Sequence, residues 1–519
     1  MTMNFGYTLE KRARMTPDIE AIIDVASGRR FTFAEFDERA NRTGNALRDV
    51  GVGKGDRVGI LAMNCVEFCE TFFAVAKIGA ICVPLNWRLT AEELEFILRD
   101  SGVSLLLFGP EFASVVEDLQ ARPILNGQGE GASTIRTYWQ IGGETLPFAS
   151  DYDANVAPAS PKKPPSSAGG DDDLFIMYTS GTTGLPKGVV HTHDTCTWCN
   201  ISILSTWESR IADRFIIALP MFHVGALGPM AGNVYRGMTS LIVRSFDPAE
   251  TWRMIERERI TSMIAVPAML LAMYDVPERD KVDRSSLRWI QSGAAPVPVT
   301  VIEDYMALGI EIHQVYGMTE SGGPACLTSP QDAVEKVGSA GKAFFHCEVR
   351  VVDDAGNDVA PGEMGEVLIS GPHIMKEYWN RPDATAETIV DGWVKSGDVA
   401  SIDEDGCIYL QDRKKDMIIS GGENVYPAEI ENVLLTLDGV ADAAVVGIPS
   451  VKWGESGLAV IVRSDEELAP QAVLDHCQGK LARFKQPVAV EFVDEIPRNP
   501  SGKILKRVLR ERFPGPAPA

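Results

Sequence analysis

Positive charge is what this chain most lacks. Its 49 Lys and Arg face 72 Asp and Glu, a formal net charge of −23 with histidine neutral. Nucleic acid and anionic membranes are gripped by basic surfaces, so neither is expected as a partner. An apolar leader is missing as well: the opening MTMNFGYTLEKRARMTPD is polar and runs straight into patterned sequence, which predicts a cytoplasmic setting. No stretch reads as a transmembrane segment. The longest apolar run, FIIALPMFHVGALGPMAG at residues 215–232, carries a histidine, two prolines and three glycines, and reads as a buried strand followed by a pocket-forming segment.

Disulfide spacing is also absent among the nine cysteines, which suits a reducing compartment. One cluster, HTHDTCTWC, brings His191, His193, Cys196 and Cys199 together. It has no second ligand pair at finger spacing and no thioredoxin-like surroundings, so buried, unligated side chains are expected there rather than zinc or redox chemistry. Internal repeats are not found.

At 519 residues the chain is long enough for two or more domains. Thr32 and Glu35 form a capping-box pair, after which Phe36, Ala40, Thr43, Leu47 and Val50 recur at helical spacing until Gly51. A strand-like run at residues 57–61 follows, and strand and helix patterns alternate to about residue 110, the mark of an α/β fold. The Pro-, Ser- and Gly-rich stretch APASPKKPPSSAGGDDD, residues 157–173, predicts an exposed connector. A second transition falls at residues 411–424, QDRKKDMIISGGEN. Beyond it the pattern predicts a helix from Pro427, strands at 443–448 and 488–493, and helices at 472–481 and from Ile504, enough for a small α+β domain.

The connector delivers the chain to YTSGTTGLPKGV, residues 178–189, rich in glycine and hydroxyls and holding one lysine, Lys187. Close backbone approach, hydroxyl donors and a point charge suit a polyphosphate. A Walker loop would place glycine before the lysine and a hydroxyl after it; here Pro186 and Gly188 stand there, and Val189 and Val190 predict return into a strand. Further polar islands follow. QSGAAPVP, residues 291–298, puts small residues after a strand, where a flat heterocycle could lie. QVYGMTESGG, residues 314–323, offers the ring of Tyr316, the hydroxyl of Thr319 and the carboxylate of Glu320, a Mg2+ ligand by chemistry. Asp398 in WVKSGD and Arg413 in DRKKD are candidates to hold a ribose.

Together, in this order, these segments closely resemble the adenylate-forming superfamily of acyl-CoA synthetases, luciferases and peptide-synthetase adenylation domains, along with LPMFHV, DRKKDMIISGGENVYPAEIE and PRNPSGK. The resemblance covers nearly the whole chain. It implies a large N-terminal domain of packed β-sheets and helices, residues 1–412, and a small mobile α+β lid, residues 413–519, turning about a hinge at Lys415. It also implies ATP, Mg2+ and coenzyme A as cofactors, and two half-reactions: a carboxylate attacks the α-phosphorus of ATP, then a thiol captures the acyl adenylate. Carried over by motif, Thr179, Ser180, Gly181, Thr182, Thr183, Gly184 and Lys187 would cradle the phosphates, with Thr179 and Glu320 at the metal. Ser292, Gly293, Ala294, Ala295, Tyr316, Gly317, Met318 and Thr319 would surround adenine and the α-phosphate, and Asp398 and Arg413 the ribose. Lys503 would be the adenylation lysine, and His223 would gate the acid's carboxylate. Gly421 and Gly422 would line the pantetheine channel, with Arg483 and Lys485 at the CoA nucleotide. One departure stands out: Ser396 precedes Gly397-Asp398 where many relatives have threonine.

The acyl pocket implied by the motifs, His223, Val224, Gly225, Leu227, Gly322 and Gly323, is small and apolar and shows no cation for a second carboxylate. Wording such as MKEYWNRPDAT is most similar to bacterial medium- and long-chain fatty-acid–CoA ligases. An aryl or cinnamate-type acid, or a carrier protein in place of CoA, stands as an alternative, and a homodimer is left open.

Overall fold

In the computed structural model, which describes residues 3–129, 135–179, 185–294, 297–413, 416–420, 423–450, 453–478, 480–481, 483, 485–498 and 504–515, the chain forms four sheets. The first is eight-stranded, and its strands Arg57–Leu61, Ile81–Pro84 and Val103–Phe108 run parallel. They are near-continuous apolar runs because helices cover both faces. Helix Val66–Ile78, buried along its whole length, is one such crossover. Toward one side the sheet continues in an antiparallel hairpin of Asp173–Thr179 with Lys187–Thr192, the strand return that Val189 and Val190 predicted.

The second sheet, nine-stranded, lines up Arg214–Ile217, Ser262–Ala265, Trp289–Ser292 and Glu311–Met318 in parallel, then folds Gly323–Leu327 back antiparallel onto the last of these. Parallel strands end on one side, so Ser292 and Met318 come out at the same edge. A five-stranded antiparallel sheet of residues 348–413 follows. The fourth sheet lies wholly within residues 418–493 and has its own apolar core around Ile430, Val445 and Ile461.

Local expectations hold in most places. Helix Phe33–Asp49 carries the Thr32–Glu35 capping box and buries Phe36, Ala40, Thr43 and Leu47. The run at 215–232 opens as a strand, but its pocket-forming part is a regular helix, Val224–Arg236, with Pro229 inside it. The helix expected at 472–481 is Pro470–His476, ended early where the sequence has glycine at 479, and the last begins at Lys506 rather than Ile504. The connector is not simply exposed. Arg42 and Asn45 on helix Phe33–Asp49 donate to the carbonyls of Ala157, Ala159, Ser160 and Lys162, and Ala159 and Ala168 are buried. No helix among the described residues is long and apolar enough to cross a membrane.

Of the seven histidines, His191, His193, His223 and His373 are each pushed down to about 4 by burial, and burial lowers His313 as well. The unfolded chain takes up protons at these sites from about pH 6.5 downward while the folded one does not, so stability is lost as pH falls through that window toward 4. Each site contributes up to about 1.4 kcal/mol per pH unit. Calorimetry should therefore show Tm dropping by about 5 °C or more between pH 7 and pH 5. A flat profile would contradict the burial of these rings.

Candidate active site

The hairpin that flanks residues 180–184 pairs Thr179 with Lys187 and Tyr178 with Gly188. Thr179 Oγ1 donates to the Lys187 carbonyl at 3.5 Å, closing the base of the turn. The five residues Ser180, Gly181, Thr182, Thr183 and Gly184 lie outside the described residues, as do Ala295, Lys415, Gly421, Gly422 and Lys503. Lys187 Nζ sits 4.9 Å from the centre of the Tyr378 ring. The phenol of Tyr378 donates to Glu320 Oε1 at 2.6 Å. Glu320, 7% exposed, stands on a single turn, Thr319–Ser321, that follows strand Glu311–Met318.

Backbone bonds fix this arrangement. Strand Glu377–Tyr378 pairs with Val189 and Val190, Trp379 N–H donates to Gly188 O at 2.7 Å, and Met375 N–H donates to Glu320 O at 2.7 Å. His191 Nε2–H donates to the Thr319 carbonyl at 2.7 Å, so one ring of the His/Cys cluster ties the hairpin to the Glu320 turn. His193 Nδ1 accepts from Phe5 N–H at 3.0 Å, and burial raises the Cys196 and Cys199 thiols, the latter to about 12. These side chains are engaged in packing and hydrogen bonds. Tyr378 was not among the residues singled out from sequence; MKEYWNRP was read only for its likeness to relatives.

On the other flank, the Ser292 hydroxyl is buried with no hydrogen-bond partner among the described residues, a polar atom left for a ligand. Gly293 and Gly317 mark close backbone approaches: a Cβ would fall 2.3 Å from the Val315 carbonyl and 2.1 Å from the Gly323 carbonyl, respectively. Ala294 is held at φ +70°. Met318 N–H donates to Ser321 Oγ at 3.1 Å. Tyr316 OH donates to Asp398 Oδ2 at 2.9 Å, and burial beside that carboxylate pushes the phenol up. Asp398 faces Arg413 in register across two antiparallel strands; the Arg413 side chain lies outside what is described. The serine that replaces threonine is accommodated, since Ser396 Oγ donates to Val367 O at 2.7 Å and accepts from Asp398 N–H at 3.1 Å.

His223 immediately precedes helix Val224–Arg236, and its Nε2 is buried with no partner among the described residues. Burial first, then the nearby Arg88 charge, holds the ring neutral. Val224, Leu227 and Gly322 from the expected acyl pocket line one apolar cavity with Phe72, Phe175, Cys199 and Asn200; His223, Gly225 and Gly323 sit beside it rather than in its wall. A second cavity of about 310 Å³ opens between Trp87, Arg88 and Arg244, and Leu219 and Pro220 of the LPMFHV motif line it. Lys485 is bonded at 2.7 Å to Glu429 on helix Pro427–Leu434, and Arg483 lies on a nearby turn.

Residues 9–379 match the AMP-binding enzyme family, and residues 429–503 the AMP-binding enzyme C-terminal domain. The chain belongs to that family. It is an ATP-dependent, AMP-forming acyl-CoA synthetase by kinship along its full length. The long-chain-fatty-acid–CoA ligase FadD13 of Mycobacterium tuberculosis is 43% identical over 515 residues, 99% of each chain. A feruloyl-CoA synthase of an Amycolatopsis species is 41% identical, over 97% of this chain and 98% of that one. Among solved structures, a Mycobacterium tuberculosis fatty acyl CoA synthetase, 42% identical, superposes with a TM-score of 0.79 over 99% of this chain and 98% of its own. The anthranilate CoA ligase AuaEII in complex with anthranoyl-AMP, only 27% identical, reaches 0.90 over 99% of this chain and 97% of its own.

In this AMP-binding enzyme the Tyr378 phenol orients a carboxylate, and a hydrogen bond to a charged group contributes about 1.5–3 kcal/mol. Tyr378→Phe keeps the ring under Lys187 and removes only the donor. It should raise the Mg2+ concentration needed for half-maximal ATP–pyrophosphate exchange by about tenfold. An unaltered Mg2+ curve would mean that Glu320 works without the phenol.

Proposed function

We propose that the enzyme activates a carboxylic acid with an elongated apolar body, a medium- or long-chain aliphatic acid, and passes it to coenzyme A. The observation that carries this is the full-length likeness to a long-chain-fatty-acid–CoA ligase; a small apolar cavity of about 30 Å³ between helices His193–Thr206 and Val224–Arg236, meeting the Glu320 turn at Gly322, marks where the acid's body would enter and would have to widen around it. The acid's body would lie along it with the carboxylate toward His223.

In the first half, a carboxylate oxygen forms a bond to the α-phosphorus of ATP as the bond to the bridging oxygen breaks, and pyrophosphate leaves. Thr179, Lys187 and the intervening hydroxyls hold the leaving phosphates; Lys503 donates to the oxygens between which charge shifts. Glu320, steered by Tyr378, is the carboxylate suited to hold Mg2+, with Thr179 beside it, and a bound Mg2+ supplies charge neutralisation at the phosphates. Ser292, Gly293, Ala294, Ala295, Tyr316, Gly317 and Met318 hold adenine, Thr319 meets the α-phosphate, and Asp398 and Arg413 grip the ribose. His223, neutral, offers a hydrogen bond to the acid rather than charge. In the second half, the thiolate sulfur bonds to the acyl carbon and AMP departs with the electron pair of the broken C–O bond.

A division into residues 1–412 and a lid of 413–519 is supported by the change of sheet between strands Ile408–Arg413 and Ile418–Ser420. Superposition scores that do not follow identity favour more than one domain arrangement in the family. Turning about Lys415 would bring Gly421 and Gly422 to the thiol, with Arg483 and Lys485 toward the CoA nucleotide. The free cysteines support a cytoplasmic setting, and pairing into a homodimer is compatible with this reading. The feruloyl-CoA synthase relative favours an aryl acid as the second reading.

AMP release from ATP, with and without CoA, across fatty, benzoic and cinnamic acids separates these readings: CoA-dependent AMP with a chain-length optimum is expected, and aryl preference favours the second. Lys503→Ala should slow ATP–pyrophosphate exchange by about 10²-fold, and full exchange in that variant would remove Lys503 from the first half. Gly421→Leu should block thioester formation while sparing exchange; equal loss of both would count against a turning lid.

A further inference from the structure

One buried amide joins the loop that carries His223 to the sheet that carries the Thr179–Lys187 hairpin. Asn64 stands between strand Arg57–Leu61 and helix Val66–Ile78 and is 4% exposed. Its Nδ2 donates to the carbonyls of Leu219 at 2.8 Å and Val243 at 3.1 Å, and its Oδ1 accepts from Met221 N–H at 2.9 Å. Both donors of the amide are used and its oxygen is engaged, so its orientation is set. The three partners lie just beyond two paired strands of the nine-stranded sheet, Arg214–Ile217 and Thr239–Ile242. Asn64 itself leaves the eight-stranded sheet, where Arg57–Leu61 pairs with Ile81–Pro84 and that strand with Asp173–Thr179 of the hairpin. From Met221 the path to His223 is short: His223 N–H donates to the Pro220 carbonyl at 3.0 Å, closing a turn that Asn64 grips at Leu219 and Met221. Within it the Phe222 ring lies 4.5 Å from the His223 ring and 5.8 Å from that of Trp87, which follows strand Ile81–Pro84. An edge-to-face contact tolerates sliding; three directional hydrogen bonds on one amide do not.

Resting on the reading of His223 as the residue that meets the acid, we infer that Asn64 is a positioning residue for the first half-reaction. It sets where His223, and with it the acid's carboxylate, stands relative to the phosphates that Thr179 and Lys187 would hold. The attack on the α-phosphorus is in line, and its rate depends steeply on that placement. Serine at position 64 is too short to reach all three partners. Aspartate keeps the shape and the acceptor for Met221 N–H but turns lone pairs toward two carbonyls. None of the motifs contains Asn64, and an asparagine between a strand and a helix reads from sequence as an ordinary turn residue.

The test is a double-mutant cycle on ATP–pyrophosphate exchange, run with the acid that the panel of fatty, benzoic and cinnamic acids selects, in Asn64→Ser, Asn64→Asp, His223→Ala and the two double variants. Each Asn64 variant is expected to lower kcat/KM for the acid by about tenfold or more while KM for ATP stays within about twofold. The same substitutions made in the His223→Ala enzyme should cost less than about twofold further. A tie that is only structural would move the ATP KM and cost as much with the imidazole as without it; that result overturns the inference, and so does an unaltered kcat/KM in both Asn64 variants. Failure of both variants to fold would assign Asn64 to stability and overturn it equally. If His223→Ala alone leaves kcat/KM for the acid unchanged, the parent assignment of His223 falls and this one with it. A loss in His223→Ala that multiplies independently with the Asn64 loss overturns this one alone.

Discussion

The hydrogen bond from Tyr378 to Glu320 joins two parts of the chain that sequence leaves far apart, and most of the site's geometry hangs on it. The hairpin of Asp173–Thr179 with Lys187–Thr192 belongs to one sheet, and the Glu320 turn joins two strands of another. Left alone, each could tilt with its own sheet. The short segment around Tyr378 is bonded to both, by strand pairing to Val189 and Val190 on one side and by Met375 to the Glu320 carbonyl on the other. His191 adds a second tie to Thr319. A cation, an aromatic face and a carboxylate are thereby held in one row, Lys187, Tyr378 and Glu320. A charged ligand meeting that row finds its partners already oriented, so little ordering is left to do at the moment of reaction.

Much of the architecture could be read from the chain itself. Apolar runs without alternation marked strands covered on both faces, and the Thr32–Glu35 pair marked a helix start. Tertiary partnerships were not legible. Tyr378 lies in a segment that sequence marks only by its likeness to relatives, and nothing there reveals that its phenol meets Glu320. The connector at residues 157–173 has the composition of loose chain, yet Arg42 and Asn45 bind its carbonyls, because side chains on a packed helix supply donors that composition does not reveal. Lys485 is placed by its motif alone, and which carboxylate lies within its reach, here Glu429, is a tertiary fact that the motif does not carry. His191 and its cysteine neighbours carried metal-like spacing, but spacing along the chain says nothing about the Thr319 carbonyl waiting on a turn of another sheet.

The backbone approaches at Gly293 and Gly317 bear on how such an enzyme can change. The wall beside Ser292 and Tyr316 is built from main chain at contact distance, with carbonyls where side chains would otherwise project. Such a wall offers mutation almost nothing to adjust. The small apolar cavity beside Gly322 is the reverse: Phe72, Cys199, Asn200, Leu227 and Ala231 all meet it with side chains on packed helices, each replaceable without moving a strand. A lineage starting from this plan can therefore exchange one acid for another by a few substitutions while its taste for ATP stays where it was. The wide spread of acids named among its full-length kin, from fatty to aryl, is the pattern that such an uneven division of freedom would leave behind.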